Sequence, residues 1–165
     1  MLTILTEPNP LLHQVCKPIE QITPEVIERA REMLELMYKG EGIGLAAPQV
    51  GWDARLFVIN HNYTDEAEGV FINPVLELSP EEEFETEGCL SLPGIFRPVR
   101  RAKVVRVSGT YFSGRHLRKA SPRPLVLERR EYKGLRARCI QHETAHLDGI
   151  LITDMPMPTY PSSAA

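Results

Sequence analysis

QHETAHLDG, residues 141–149, places two histidines four positions apart with a glutamate directly after the first. In a helix, positions four apart differ by about 40° in azimuth, so His142 and His146 leave one face and Glu143 can reach water on the same ion without being a ligand. That spacing suits a divalent metal. No proline or internal glycine interrupts 134–148 and Gly149 supplies a stop, so a helix is expected there. A catalytic ion of this kind needs three protein ligands and one open position. After His146 the chain offers only Asp148 and Asp154, so Cys89, in Glu87-Gly88-Cys89-Leu90-Ser91-Leu92-Pro93, is the better candidate for the third. Taken by itself a lone cysteine reads more readily as a small buried apolar side chain, and Cys16 and Cys139 are read that way.

Outward from this helix, the 165 residues are 42% hydrophobic and 25% charged, which suits one packed core and neither disorder nor a solenoid. Residues 1–154 are expected to form a single catalytic domain, and 155–165 a Pro-rich, frayed tail. No apolar run approaches the ~18 residues of a membrane span, and the start MLTILTEPNP lacks a basic leader. A cytoplasmic protein is expected, with an organelle stroma or matrix, or the cytoplasm of a virus-infected host, left open. Three cysteines cannot all pair, which suits a reducing compartment. The net charge of −3 divides unevenly: residues 1–96 carry −12, residues 97–138 carry +12 and the remainder −3. The basic block is expected either to pair with the acidic segment Glu77–Glu87 or to meet ribosomal RNA, whose phosphates such a surface attracts.

Thr23-Pro24 reads as a cap and first helical position, with Val26, Ile27, Ala30, Met33, Leu34 and Met37 at helical spacing before Gly40. Residues 40–52 read as a loop returning extended chain to a strand at 55–60. Strands follow at 70–78, broken into two pieces by Pro74, at 103–112 and at 124–132, with a long hairpin loop over 113–124. ILITD, 150–154, reads as one last short strand.

GIGLAAPQ (42–49), EGCLSLP (87–93) and QHETAHLDG (141–149) together resemble the three motifs of the peptide deformylase family, in the family's order, and the similarity runs from PNPLL to about Asp154. The resemblance implies an α+β fold, with short antiparallel strands enclosing a central HExxH helix and the first helix outside. It implies one divalent ion on Cys89, His142 and His146, with Fe2+ native and Zn2+ or Ni2+ as substitutes. Glu143 is then the general acid and base, and the Gln49 amide with the Leu90 backbone N–H the oxyanion site. The implied reaction releases formate from the N-formylmethionine of new polypeptides. Ile43, Leu135, Arg138 and Cys139 would surround the methionine side chain, with the stem of Arg138 as a wall. Gly42, Gly44 and residues 87–90 would offer backbone to the peptide.

Three departures accompany the resemblance. Ala145 stands where the family usually has Asp, so a contact expected to reach Arg101 is missing. The loop 113–124 is longer and more basic than usual. The chain stops soon after Asp154, without the C-terminal helix of many bacterial members. HExxH alone also fits a small zinc endopeptidase, against which Cys89 and the lack of a downstream His or Glu ligand argue. Ala145 and the basic block also fit a catalytically weak binding protein, against which intact Glu143 and Gln49 argue.

Overall fold

The computed structural model describes residues 2–120 and 122–157. The Thr23 hydroxyl accepts from the Val26 N–H at 3.4 Å and opens helix α1 (Pro24–Lys39), where Pro24 has no N–H to leave unpaired. Ile27, Ala30, Met33, Leu34 and Met37 form its buried face, as their spacing predicts. This face packs on one side of an antiparallel sheet.

That sheet contains β1 (Gly44–Ala46), β2 (Leu56–Ile59) and β3 (Gly69–Leu78), while β4 (Glu82–Cys89) and β5 (Leu92–Ala102) form a separate hairpin. The chain then returns to the sheet with β6 (Val104–Ser113) and β7 (Leu125–Lys133), giving the order β1-β2-β3-β6-β7. β2 is buried on both faces. Leu56 and Val58 join α1 in one cluster, and Phe57 and Ile59 join the second, in which Phe71 stacks on Phe57 at 4.9 Å. The second cluster belongs to the last helix, α3 (Gly134–Leu147), which packs against β1, β2, β5, β6 and β7. The HExxH helix is therefore enclosed by strands, with α1 on the far face of the sheet. This is the α+β arrangement expected.

Five local expectations change. Residues 40–52 are tighter than a loop: β1 is followed by a 3-10 turn, Ala47–Val50, which Gln49 closes by accepting the Ala46 N–H on Oε1 at 2.8 Å. Pro74 does not divide its strand. β3 stays continuous with a bulge between Ile72 and Val75, and Asn73, at φ 50°, turns its side chain out to hold both backbone groups of Ile19 at 2.8 Å. Gly109 lies opposite with φ 140°, and a Cβ there would stand 2.9 Å from the Asn73 carbonyl oxygen. The acidic run enters β4, paired with β5 in a register that sets Glu83 opposite Arg101 and Glu87 opposite Arg97. The loop 113–124 contains a one-turn helix, α2 (Gly114–Leu117), whose Leu117 is buried and whose Leu117 carbonyl accepts from Arg31. Residues 150–154 turn rather than extend, with Leu151 and Ile152 buried and Asp154 accepting the Leu151 N–H at 2.8 Å. Of the expected frayed tail, residues 158–165 lie outside the described residues.

Candidate metal centre

α3 presents His142 and His146 on one face, and the end of β4 brings Cys89 to them. The ligand atoms of all three lie within 4.8 Å of one another, with Cys89 Sγ 3.3 Å from His146 Nε2. A thiolate beside two imidazoles suits Fe2+ or Zn2+ better than Mg2+ or Ca2+. His142 turns its Nδ1 to Glu87 Oε2 at 2.9 Å, which leaves Nε2 for an ion and fixes the ring. His146 is 1% exposed, and its Nδ1 is buried without a hydrogen-bond partner among the described residues. The three residues fit a divalent ion by donor type, by separation and by orientation.

Glu87 is the organising group behind this set, and motif reading alone gave it no such role. Its carboxylate accepts from Arg101 Nε at 3.0 Å and Nη2 at 2.9 Å, and from Arg138 Nη1 at 2.7 Å, as well as facing His142. Burial pushes this carboxyl up, but the hydrogen bonds from His142 and Arg101 outweigh it and hold it far below the usual carboxylate range. Burial likewise pulls the His142 ring down, while hydrogen bonds to Cys89 and Glu87 draw it up to about 10. An incoming cation therefore displaces a proton there. Buried His146 is pulled well below the ordinary imidazole value, which keeps it neutral and able to ligate.

Glu143 is 4% exposed, and burial pushes its carboxyl up to about 7. Its Oε2 is buried without a partner among the described residues. Gly44 makes room for it: a Cβ at Gly44 would collide with Glu143 Oε1. Gln49, 2% exposed, is fixed at both ends of its amide. With Oε1 on the Ala46 N–H, Nε2 donates to Ser91 Oγ at 3.1 Å and faces Cys89 Sγ at 3.6 Å. Ser91, fully buried, is a positioning partner that its place in EGCLSLP could have suggested.

A cavity of about 630 Å3 opens on these groups. Gly42, Ile43, Gly44, Gln49, Cys89, Leu90, Leu135, Arg138, Cys139, His142 and Glu143 all line it, so the structure gathers nearly every residue singled out from the sequence. His146 lies behind Cys89. Ile43 is half-buried and Leu135, at the mouth, is 49% exposed. Cys139 is buried with its Sγ on the Ile43 carbonyl at 3.4 Å, and burial pushes its thiol well up. The Arg138 guanidinium is drawn back onto Glu87, Val99 and Glu83, so only its stem is free to act as a wall. The basic block is largely paired: Arg129 meets Glu77, Arg100 meets Glu82, Arg115 meets Glu66, and Arg118 meets Asp65 and Glu68.

Comparison with known proteins agrees with this geometry. The family described as polypeptide deformylase matches residues 1–159. A peptide deformylase 2 of Gloeobacter violaceus is 43% identical over 156 residues, which cover 93% of this chain and 78% of that protein. The crystal structure of a Thermotoga maritima peptide deformylase superposes with a TM-score of 0.81 at 35% identity, covering 96% of this chain and 99% of the other. An Acinetobacter baumannii peptide deformylase with Met-Ala-Ser bound gives a TM-score of 0.78 at 26% identity, covering 94% and 98% of the two chains. With the Cys89, His142 and His146 cluster and the fold in place, these matches put the chain in the peptide deformylase family.

Proposed function

We propose that this chain hydrolyses the formyl group from N-formylmethionyl peptides, releasing formate and a free amino terminus. The observation that carries the reading is the meeting, in one cavity, of three convergent metal-ligand atoms, an unpaired buried carboxylate on Glu143 and a fixed amide donor on Gln49. Cys89 Sγ and the Nε2 atoms of His142 and His146 would hold one divalent ion, with Fe2+ as the native metal and Zn2+ or Ni2+ as substitutes. When bound, such an ion supplies a Lewis acid for the formyl carbonyl and lowers the pKa of an attacking water toward ~7.

Glu143 takes the proton of that water on Oε2 and passes it to the departing amine. One C–O bond forms at the formyl carbon and the C–N bond breaks, so formate leaves as the acid and the peptide as the amine. Gln49 Nε2 and the Leu90 backbone N–H stabilise the negative charge that develops on the carbonyl oxygen. Ala46 and Ser91 hold the Gln49 amide in place for this, and its second N–H, which faces Cys89 Sγ, is the one it offers. Ile43, Leu135, Cys139 and the stem of Arg138 surround the methionine side chain, and Gly42, Gly44 and residues 87–90 offer backbone to the peptide. The Met-Ala-Ser held by the Acinetobacter baumannii relative is what remains of formyl-Met-Ala-Ser after loss of its formyl group.

Formyl-Met-Ala-Ser assayed beside an unformylated, end-blocked peptide of the same sequence tests the reading. Formate release from the first and no cleavage of the second supports it, and internal cleavage of the blocked peptide would make the chain an endopeptidase. No helix among the described residues is long and apolar enough to cross a membrane, and we place the action in the cytoplasm on nascent chains. Contact with the ribosome would fall to the loop after β6, where Arg115, Arg118, Lys119 and Arg123 cluster.

A further inference from the structure

On the face of α3 turned away from the catalytic cavity lies a second cavity of about 410 Å3, lined by Arg55, Arg101, Gln141, Thr144, Ala145 and Asp148. Val75, Leu78 and Ile150, all exposed, form an apolar rim. Arg101 is only 6% exposed and uses the Nε and Nη2 edge of its guanidinium on Glu87. Its Nη1, on the opposite edge, has no hydrogen-bond partner among the described residues and is not among the buried unpaired atoms, so it keeps some exposure, and Arg101 is one of the residues that line the cavity. Glu87, the one ionic partner of Arg101 among the described residues, is shared with Arg138 and with His142. Arg55 is matched by Asp148 at 2.7 Å, and Glu83 and Glu85 lie against Arg138 instead.

A buried guanidinium edge with no anion of its own, at the base of a cavity with aliphatic walls, is complementary to a carboxylate on a short apolar chain. Ala145 decides the space: its methyl is the only side-chain atom it puts between the helix and that volume. We propose that this cavity is a binding site for short-chain aliphatic monocarboxylates, with the carboxylate on Arg101 Nη1 and the chain against Val75, Leu78 and Ile150. The occupant sits three side chains behind the candidate metal, along Arg101, Glu87 and His142. Thr144 contributes packing, since its hydroxyl is committed to the Ile140 carbonyl at 2.7 Å.

The test is a titration of the Zn2+-loaded protein with butyrate, read from the methyl resonances of valine, leucine and isoleucine. Saturable one-to-one shifts at Val75, Leu78 and Ile150 are expected. Ala145→Leu, which fills the cavity, should weaken binding at least tenfold. Leu78→Glu, on the exposed rim where the fold is not at stake, should do the same by repelling the carboxylate. The variants' release of formate from formyl-Met-Ala-Ser is followed separately, so failure of this site and failure of the proposed reaction remain distinct. Shifts confined to Ile43 and Leu90 at the catalytic cavity, or equal affinity in the native protein and both variants, would overturn the proposal.

Discussion

In the proposed reaction Glu143 moves a proton and Gln49 stabilises the developing oxyanion, and their surroundings differ accordingly. Glu143 has lost water without gaining a donor on Oε2, so burial leaves it ready to take and return a proton near neutrality. Glu143→Ala should keep the metal, since the residue is no ligand, and lower the rate by roughly 10²–10⁴. Metal analysis beside turnover checks this, and near-native turnover would remove Glu143 from the mechanism. Gln49 is neutral and held at both ends, which suits a donor that acts on charge present only in the transition state. Gln49→Leu should therefore lower kcat more than it raises KM. A change confined to KM would make Gln49 a substrate-binding residue. Glu143 was legible in the sequence because HExxH spacing is a local property of a helix, and Gln49 through the resemblance of GIGLAAPQ to a family motif. Glu87 was not, because its three partners, Arg101, Arg138 and His142, come from β5 and α3 and only the fold assembles them.

At the scale of elements, the short strand β1 carries more than its length suggests. It pairs with β2, and its first residue, Gly44, is the surface on which Glu143 rests. Gly44→Ala should force the carboxylate aside and lower kcat, while metal content stays near that of the native chain because Cys89, His142 and His146 are untouched. Loss of metal in that variant would mean that β1 supports the ligands rather than the base. The helices α1 and α3 follow from caps and from uninterrupted helical stretches, so both could be read in advance. The hairpin β4–β5 could not. Its outer positions are charged, and strand pairing there is visible only when Glu83 stands opposite Arg101 in the register and Arg100 lies 4.7 Å over Phe84. The bulge at Asn73 was hidden for a similar reason, since Pro74 reads as a break until the Asn73 side chain is seen holding Ile19. Residues 150–154 are apolar enough for a strand but bury Leu151 and Ile152 in a turn instead.

For the whole molecule, part of the uneven charge is resolved internally: Arg100, Arg101, Arg129 and Arg138 pair with the acidic segment Glu77–Glu87, and Arg115 and Arg118 with Asp65, Glu66 and Glu68. Exposed pairs of this kind add little stability each, so their main effect is to leave less free positive charge on the surface. Arg115 and Arg118 already have acidic partners in Asp65, Glu66 and Glu68, which weakens the claim of their loop on nucleic acid. Reversing Arg115, Arg118, Lys119 and Arg123 should abolish co-sedimentation with ribosomes at low salt and leave hydrolysis of a free formyl-peptide unchanged, if that loop is the contact. Equal sedimentation of native and reversed protein would assign the block to internal pairing alone. The central claim is that one ion on Cys89, His142 and His146 is required for deformylation. Its most direct test is metal content and formate release measured on the same protein, purified without oxygen, for the native chain and for Cys89→Ala. One divalent ion per native chain, turnover proportional to that content, and loss of both in Cys89→Ala are predicted; a Cys89→Ala protein that keeps its metal and near-native turnover would contradict the account.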